Sequence, residues 1–289
     1  VSGANCANQV WVPSTFCRDS LLSSGCESPV HVVPFGVDPV LFTPDRRRRK
    51  PGMPYTFGYF GAANVRKGFD VLVQAFAEEF TAEEPARLII ASSNMLSSTA
   101  PNLPNVECRI EHLTPKQLRD FYRSVDCFVM PSRGEGFSLT SIESMACGCC
   151  AAMTAWGGQV DYMDGKDTLR IAVERLESCG GYVGSDGRWA LPKLATVRYC
   201  MRWAFEHPEA AAAAGRAASE RVRKEWTWAR TAARVAELVR RAHPGDRVEV
   251  DIEEVVVWRG NPRQVTTPIG GFIRGEPRIL SSDQADALD

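Results

Sequence analysis

Between residues 55 and 184, the apolar positions alternate between short continuous runs and a helical spacing. Tyr55–Phe60 is a run that predicts a strand, whereas Phe69, Leu72 and Phe76 repeat at the spacing of one helix face. Further strands are predicted at 87–91, 106–110, 126–130 and 149–153, and further helices at 114–124 and 139–147. Strands separated by helices pair in parallel through right-handed crossovers. The pattern therefore predicts an open, doubly wound α/β domain.

The sequence on either side of this domain has a different character. Before it, short strands at 9–13 and 30–33 flank a helix at 14–24, and a proline-rich, basic stretch follows. After it, alanine-rich helices are predicted at 192–206, 208–224 and 227–242, and a charged pattern of period two then indicates strands and a polar end. We therefore divide the chain into an N-terminal piece (1–36), a linker (37–54), a main domain (55–243) and a β-rich extension with a polar tail (244–289).

Charge and hydropathy narrow the class of protein. The 289 residues include 34 basic and 35 acidic side chains, and the net charge of −1 excludes binding to nucleic acid or to an anionic membrane by net charge alone. No apolar run approaches the roughly 18 residues that suggest a membrane span, so no transmembrane segment is predicted. No secretion signal is visible, and the chain starts with Val1 rather than methionine, which favours a start within a longer protein.

The ten cysteines raise the questions of a disulfide framework and of a metal site, and their spacing argues against both. Most are scattered, and Cys147, Cys149 and Cys150 lie in an apolar stretch without a nearby histidine. Reduced, mostly buried thiols are typical of cytoplasmic proteins. We therefore predict a cytoplasmic protein without a metal site. We also expect no cofactor.

A first candidate for chemistry is the loop 61–68, directly after the first strand of the main domain. Gly61 permits close approach of a ligand to the backbone, the following helix offers free amides, and Arg66 and Lys67 add two positive charges. Together these features are typical of a phosphate site. The loop lacks the spacing of a Walker motif and of a dinucleotide fingerprint, and basic loop residues are also commonly solvated without a ligand.

A second candidate lies in the loop and helix after the strand at 126–130. Glu135 is in the loop and Glu143 about one turn into the helix, whose first amides belong to residues 138–141. A carboxylate can accept hydrogen bonds from two neighbouring hydroxyls, so two glutamates on either side of an anion site suit a nucleotide-sugar. Glu143 also has the position of an ordinary first-turn glutamate that the helix dipole favours.

The stretch EGFSLTSIE, from Glu135 to Glu143, resembles the E-x7-E motif of the retaining, GT-B-fold glycosyltransferases of family 4, or glycosyltransferase group 1. Further matches follow the family's order over about residues 8–242: WVPSTFCR at 11–18, VVPFGVD at 32–38, FG at 60–61, RKG at 66–68, MPS at 130–132 and TAWGG at 154–158. The family has two Rossmann-like domains. The resemblance therefore implies that residues 55–243 bind the nucleotide-sugar and that residues 1–36 are a remnant of the acceptor-side domain.

The resemblance also implies a role for each matching residue. Lys67, with Arg66, would hold the donor diphosphate and stabilise the charge on the leaving nucleotide in place of a metal. Glu135 would accept hydrogen bonds from the donor sugar, and Glu143 from the ribose diol. Other donor contacts are implied for Gly61 and for the main chain of Gly136, Phe137, Ser138, Leu139 and, near the base, Leu113. Such enzymes transfer with retention, in a front-face reaction without a covalent glutamate intermediate.

We therefore expect a hexosyltransferase-type enzyme that moves a sugar from a nucleoside-diphosphate-sugar to an unidentified acceptor, with this chain supplying the donor-binding half. Departures from the family pattern keep alternatives open: Ala62 and Ala63 stand where many relatives have an arginine, Ser138-Leu139-Thr140 replaces Gly-Leu-Pro, and no histidine has a matching context. One alternative is a non-catalytic module that binds a nucleotide-sugar or a partner. Another is a transferase completed by a missing N-terminal domain or a partner chain.

Overall fold

The structure of the protein, a computed structural model, describes residues 1–44, 52–92, 102–180 and 187–242, together with the backbone of 247–248 and 279–280. These residues belong to two compact units, Val1–Trp226 and Thr227–Asp289. The first unit contains the central sheet and the helices that cover it.

Strands and helices alternate along the first unit, as the apolar pattern predicts. In chain order they are β1 (Val10–Val12), α1 (Thr15–Ser23), β2 (Val30–Val32), β3 (Tyr55–Phe60), α2 (Phe69–Glu79), β4 (Ala86–Ser92), β5 (Val106–Ile110), α3 (Pro115–Ser124), β6 (Cys127–Met130), α4 (Leu139–Ala146), β7 (Cys150–Thr154), a 3-10 helix (Gly158–Tyr162), β8 (Leu169–Ile171), β9 (Val173–Ser178), β10 (Arg188–Pro192), α5 (Leu194–Glu206) and α6 (Pro208–Glu225). Each element that the sequence predicts here is present, with ends within two residues of the prediction.

The sequence does not predict β8, β9 or β10. Strand β8 has only three residues, and β9 pairs antiparallel with β10 in a separate two-stranded sheet. The side chains of β9 are mostly exposed. Because a surface hairpin of this kind buries no continuous apolar run, the hydrophobic pattern carries little signal for it.

A six-stranded parallel sheet with the strand order β5-β4-β3-β6-β7-β8 forms the centre of the first unit. Strands β3, β4, β6 and β7 are buried almost throughout, as expected when helices cover both faces of a parallel sheet. The strand order reverses between β3 and β6, and in such sheets ligands bind beyond the carboxyl ends of the strands at the reversal. The predicted doubly wound, Rossmann-like fold is confirmed.

The N-terminal segment packs on the same unit through α1. Strands β1 and β2 form a two-stranded parallel sheet of their own. The backbone N–H of Thr15 donates to Asp161 Oδ2 at 2.7 Å, and its hydroxyl donates to the same carboxylate. Phe16 packs edge to face on Trp156, with ring centroids 4.7 Å apart. Helix α1 therefore lies beside the segment that follows β7.

The first part of the predicted linker is held by hydrogen bonds from two helices. Arg123 of α3 donates from Nε to the carbonyl oxygen of Thr43 at 2.7 Å. Arg223 of α6 donates from Nη2 to the carbonyl oxygen of Pro39 at 3.0 Å. These two arginines fix the chain along the first unit before the linker residues 45–51, which lie outside the described residues.

The second unit contains α7 (Trp228–Ala242) and two short strands, β11 (Arg247–Val248) and β12 (Ile279–Leu280), which pair antiparallel. Arg240 and Arg241 lie in the last turn of α7, where positive charge interacts favourably with the helix dipole. The other residues of the predicted β-rich extension and polar tail lie outside the described residues.

Of the helices in the described part of the chain, none has both the length and the apolar character needed to cross a bilayer. All ten cysteines are free thiols, and seven of them are buried. Burial raises the pKa of Cys147 and of Cys200 to about 12. Both thiols therefore stay protonated, and so unreactive as nucleophiles, at neutral pH.

Helix α6 approaches the sheet so closely that one of its positions has no room for a side chain. A Cβ atom on Gly215 would lie 2.3 Å from the carbonyl oxygen of Gly148 and 2.8 Å from the backbone nitrogen of Cys150. Backbone atoms cannot move aside as a flexible side chain can. The sheet therefore requires glycine at this point of α6.

We expect Gly215→Ala to lower the free energy of unfolding, although alanine favours a helix over glycine by about 1 kcal/mol. Overpacking costs about 1–3 kcal/mol, and here it works against backbone atoms. Urea denaturation measures the net change. Gly165→Ala is the control, because a Cβ there meets no atom within 4 Å and should change little. A Gly215→Ala protein as stable as the wild type would contradict the close packing.

Candidate active site

Two loops meet at the carboxyl ends of the neighbouring strands β3 and β6. Loop 61–68 follows β3, and loop 131–138 follows β6. The strands pair in parallel, with Phe57 opposite Cys127. Because parallel neighbours end at the same edge of a sheet, the loops leave it side by side. The two candidate regions of the sequence thus lie next to each other.

Hydrogen bonds join these loops directly. The backbone N–H of Arg133 donates to the carbonyl oxygen of Arg66 at 2.8 Å, and the Ser132 hydroxyl donates to the same oxygen at 3.1 Å. In the other direction, Arg66 Nη1 donates to the carbonyl oxygen of Gly134 at 2.7 Å. The bonds satisfy polar groups that would otherwise be partly buried without partners, so the loops hold each other in one register.

Lys67 and Glu135 form an ion pair at this joint. Lys67 Nζ lies 2.7 Å from Glu135 Oε1, and Arg66 Nη1 lies 3.5 Å from the same oxygen. The Ser132 hydroxyl also donates to Oε1, at 2.9 Å. The side chains of Lys67 and Glu135 are only 14% and 7% exposed, so water and salt screen the pair weakly. Two positive charges and one carboxylate therefore converge at the edge of the sheet.

Gly68, the residue after Lys67, fixes the position of the Lys67 backbone. Gly68 precedes α2 with a φ of 70°, and a Cβ atom on it would lie 1.8 Å from the carbonyl oxygen of Pro131. Only glycine meets both the left-handed conformation and the close approach. On the other side, the backbone N–H of Lys67 donates to Asn64 Oδ1 at 3.0 Å. The turn into α2 thus begins immediately after Lys67.

Loop 131–138 ends at the N-terminus of α4. Its last residue, Ser138, has a φ of 68°, and its side chain caps no first-turn amide. The Ser138 hydroxyl instead pairs with that of Ser141 at 2.8 Å, and the Tyr162 hydroxyl donates to the Ser138 carbonyl oxygen at 2.9 Å. The first-turn amides and the dipole of α4 form a place suited to a negative group.

Gly157 and Gly158, which follow β7, pack against the backbone of Glu135 and Gly136. The backbone N–H of Gly158 donates to the carbonyl oxygen of Glu135 at 2.8 Å. A Cβ atom on Gly157 would lie 2.8 Å from that oxygen, and one on Gly158 would lie 1.9 Å from the carbonyl oxygen of Gly136. The stretch after β7 therefore packs directly against the backbone of the Glu135 loop and fixes its position.

The side chain of Phe137 packs into an aromatic cluster. Its ring centroid lies 5.5 Å from that of Phe35, 5.2 Å from that of Tyr162 and 6.0 Å from that of Trp226. With the side chain 3% exposed, only the main chain of Phe137 is available to a ligand. The neighbouring Gly136 is exposed.

The remaining predicted residues lie further from the ion pair along the chain or the sheet. Glu143 of α4 is 4% exposed, and the Tyr122 hydroxyl donates to its Oε2 at 3.4 Å. Leu113 follows the edge strand β5, which β4 separates from β3, and its side chain packs on the core. Gly61, Arg66 and the residues around Glu135 thus lie in the two adjoining loops. Glu143 lies within α4, and Leu113 lies after the edge strand β5.

The sequence does not single out Tyr59 and Tyr162, two buried tyrosines that adjoin the site. The Tyr59 hydroxyl donates to the carbonyl oxygen of Ala62 at 2.7 Å, within the first loop. Burial, and secondly the charge of Glu135, raises the pKa of each hydroxyl well above its usual value. Both hydroxyls therefore remain protonated donors at ordinary pH and support the two loops.

The chain is similar to known proteins in sequence and in structure. Residues 54–179 match the family Glycosyl transferases group 1. The chain is 32% identical over 231 residues to a D-inositol 3-phosphate glycosyltransferase from Thermobispora bispora, a match that covers 72% of this chain and 50% of that relative. The chain spans about a third to a half of the length of the curated relatives it matches.

Solved structures share the fold. Anabaena HepE in complex with UDP and glucose matches with a TM-score of 0.66 at 14% identity, over 83% of this chain and 65% of that chain. The C-terminal domain of a group 1 glycosyl transferase from Francisella tularensis matches with a TM-score of 0.53 at 16% identity, over 66% of this chain and 99% of that domain. The comparisons confirm the resemblance to group 1 glycosyltransferases and the GT-B type of fold that the sequence predicts. The E-x7-E motif and its roles stay predictions.

We expect Ser138→Gly to be more stable than Ser138→Ala by about 1 kcal/mol, because a left-handed conformation costs a residue with a Cβ atom about 1–2 kcal/mol. Both variants lose the hydroxyl that pairs with Ser141, so their difference isolates the backbone strain. Urea denaturation of the two variants measures it. Equal stability, or a more stable alanine variant, would show that Ser138 is not strained.

Proposed function

We propose that this chain supplies the donor-binding half of a retaining glycosyltransferase, which moves a sugar from a nucleoside-diphosphate-sugar to an acceptor. The observation that carries the proposal is the ion pair of Lys67 with Glu135 at the carboxyl ends of β3 and β6, beside the N-terminus of α4. Such a site offers cations and amides to a diphosphate and a carboxylate to the hydroxyls of the attached sugar.

In the proposed complex, the diphosphate lies between Lys67 and the first turn of α4. Its oxygens replace Glu135 Oε1 as the partners of Lys67 Nζ, and Arg66 adds a second positive charge. When the bond from C1 of the sugar to the leaving oxygen breaks, negative charge develops on the β-phosphate. Preorganised cations and amides stabilise that charge, and we propose that they take the place of a metal ion.

Glu135 positions the sugar in this proposal. Its carboxylate accepts hydrogen bonds from sugar hydroxyls, while Gly61 and the main chain of 136–139 line the donor. The acceptor hydroxyl attacks C1 on the face from which the nucleotide leaves, and the leaving phosphate takes the acceptor's proton. The configuration at C1 is thus retained without a covalent bond to Glu135.

Glu143 and the main chain near Leu113 are proposed to hold the nucleoside. A carboxylate offers about four lone-pair sites, so Glu143 can accept the ribose diol together with the Tyr122 hydroxyl. Leu113 follows β5, two strands from β3. A nucleotide with its phosphate at α4 and its base near Leu113 would therefore lie along the carboxyl edge of the sheet.

We further propose that acceptor recognition comes from sequence outside this chain, in an N-terminal domain of the same protein or in a partner chain. Helix α1 already contacts the site, because Cys17 Sγ lies 3.5 Å from the carbonyl oxygen of Gly136. The free, mostly buried thiols fit a reducing compartment, and we propose that the protein acts in the cytoplasm.

Lys67→Ala should weaken the binding of UDP about ten- to a hundredfold, measured by calorimetry with a chelator present. A hydrogen bond to a charged group contributes about 1.5–3 kcal/mol, and each factor of ten in Kd corresponds to about 1.4 kcal/mol. Glu143→Ala should also weaken binding, because the ribose loses its carboxylate. The exposed Lys116 of α3 provides the control, and Lys116→Ala should bind as the wild type does.

Two results would contradict the proposal: no binding of UDP, GDP or ADP by the wild type, or equal binding by the wild type and Lys67→Ala. A measurement of turnover distinguishes the proposed transferase from the second candidate function, a non-catalytic binding module. Hydrolysis of a nucleotide-sugar, or transfer from it, supports the transferase. Binding without turnover, also in the presence of the proposed N-terminal domain or partner chain, supports a non-catalytic binding module.

A further inference from the structure

Arg133, between Ser132 and Glu135 in the second loop, is a buried arginine with several partners. Its side chain is 6% exposed, and an arginine is rarely buried to this extent unless it is paired. Its guanidinium donates from Nη1 and Nη2 to the two carboxylate oxygens of Asp70, at 2.8 and 2.7 Å. Nη1 also donates to the carbonyl oxygen of Val65.

These partners stand on both sides of Lys67 in the chain. Val65 comes two residues before it, and Asp70 lies three residues after it, in the first turn of α2. In addition, the backbone N–H of Arg133 donates to the carbonyl oxygen of Arg66. Arg133 of the second loop thus forms hydrogen bonds with the first loop and the start of α2, both before and after Lys67 in the chain.

The β9–β10 hairpin supports Arg133 from the other side. The backbone N–H of Ala190 donates to the carbonyl oxygen of Arg133 at 2.9 Å. Glu177 Oε1 lies 3.6 Å from Arg133 Nε and accepts a hydrogen bond from the indole N–H of Trp189 at 3.3 Å. Two carboxylates, those of Asp70 and Glu177, therefore lie close to the single positive charge of Arg133. This arrangement distinguishes it from Arg66, whose guanidinium approaches the Lys67–Glu135 pair itself.

We propose, on the basis of the proposed function, that Arg133 is a positioning residue for Lys67. A lysine side chain has a long, flexible stem, and ordering it costs conformational entropy when a ligand binds. By fixing the backbone around Lys67, Arg133 keeps the ammonium group at the place that the diphosphate occupies. Arg133 acts through Lys67 and does not touch the donor. The fork of the guanidinium is essential, because lysine cannot bind two oxygens of Asp70 and a carbonyl in the same plane.

The test is a double-mutant cycle on UDP binding. Arg133→Lys, which keeps the charge and loses the fork, should weaken UDP binding about tenfold in the wild-type background. In the Lys67→Ala background the same change should alter the Kd less than about twofold, because the group that it positions is gone. Equal weakening in both backgrounds would show a general structural effect and would overturn the proposal, as would no weakening in the wild-type background.

Arg202 offers a matched control elsewhere in the fold. Its guanidinium also binds two carboxylates, those of Glu79 and Glu84, between α5 and the end of α2. Arg202→Lys should leave UDP binding unchanged in both backgrounds. If Arg133→Lys fails to fold, Asp70→Asn removes the same bidentate pair from its exposed partner and should show the same dependence on Lys67.

A second readout needs no nucleotide, and so separates this proposal from the proposed function. The chain has six lysines, and reductive methylation with ¹³C labels each one without removing its charge. The NMR signal that disappears in Lys67→Ala belongs to Lys67. Asp70→Asn, which removes the same bidentate pair and adds no lysine, should move that signal towards the position of solvated lysines and leave the other signals in place. If the wild type binds no nucleoside diphosphate, the proposed function fails, whereas an unmoved Lys67 signal overturns the role of Arg133.

Discussion

The parallel pairing of β3 with β6 is the constraint on which the rest of the site depends. It makes two strands that are distant in sequence end at one edge, at the point where the strand order reverses. The loops that follow these strands therefore run side by side. The hydrogen bonds to the Arg66 carbonyl oxygen fix the register of one loop against the other. The Lys67–Glu135 pair is a consequence of this register.

Glycines let the backbones come close enough for that register to hold. Gly68 lies against the carbonyl oxygen of Pro131, and Gly158 lies against that of Gly136. At both places a Cβ atom would have to displace backbone, so the loops around Lys67 and Glu135 cannot relax by moving a side chain. The site therefore presents its charged groups from backbone that is held on both sides, which is what preorganisation for an anionic ligand requires.

Much of this architecture can be predicted from the sequence, and the reasons are local. The apolar runs and helix spacings of 55–154 specify the alternating elements, and the position of Lys67 and Glu135 after strands marks them as candidates. Their direct pairing is not predictable in this way, because it depends on the spatial order of β3 and β6. Arg133 gives no signal either, since an arginine in a loop is usually exposed.

The same limit applies to the surroundings of the site. The hairpin of β9 and β10 supports Arg133, but its exposed, charged residues resemble an irregular loop in sequence. Tyr59 has the pattern of any buried strand residue, and only the fold reveals that its hydroxyl holds the loop at Ala62. The roles of side chains that depend on contacts distant in sequence thus cannot be predicted from periodicity and spacing.

A crystal structure of the chain with UDP bound tests the central claim most directly. The account predicts a β-phosphate oxygen about 2.7–2.9 Å from Lys67 Nζ, the usual length of a charge-assisted hydrogen bond, with the phosphates at the first amides of α4. Glu135 Oε1 should then have given up its contact with Lys67. UDP bound elsewhere, with the Lys67–Glu135 ion pair intact, would contradict the account.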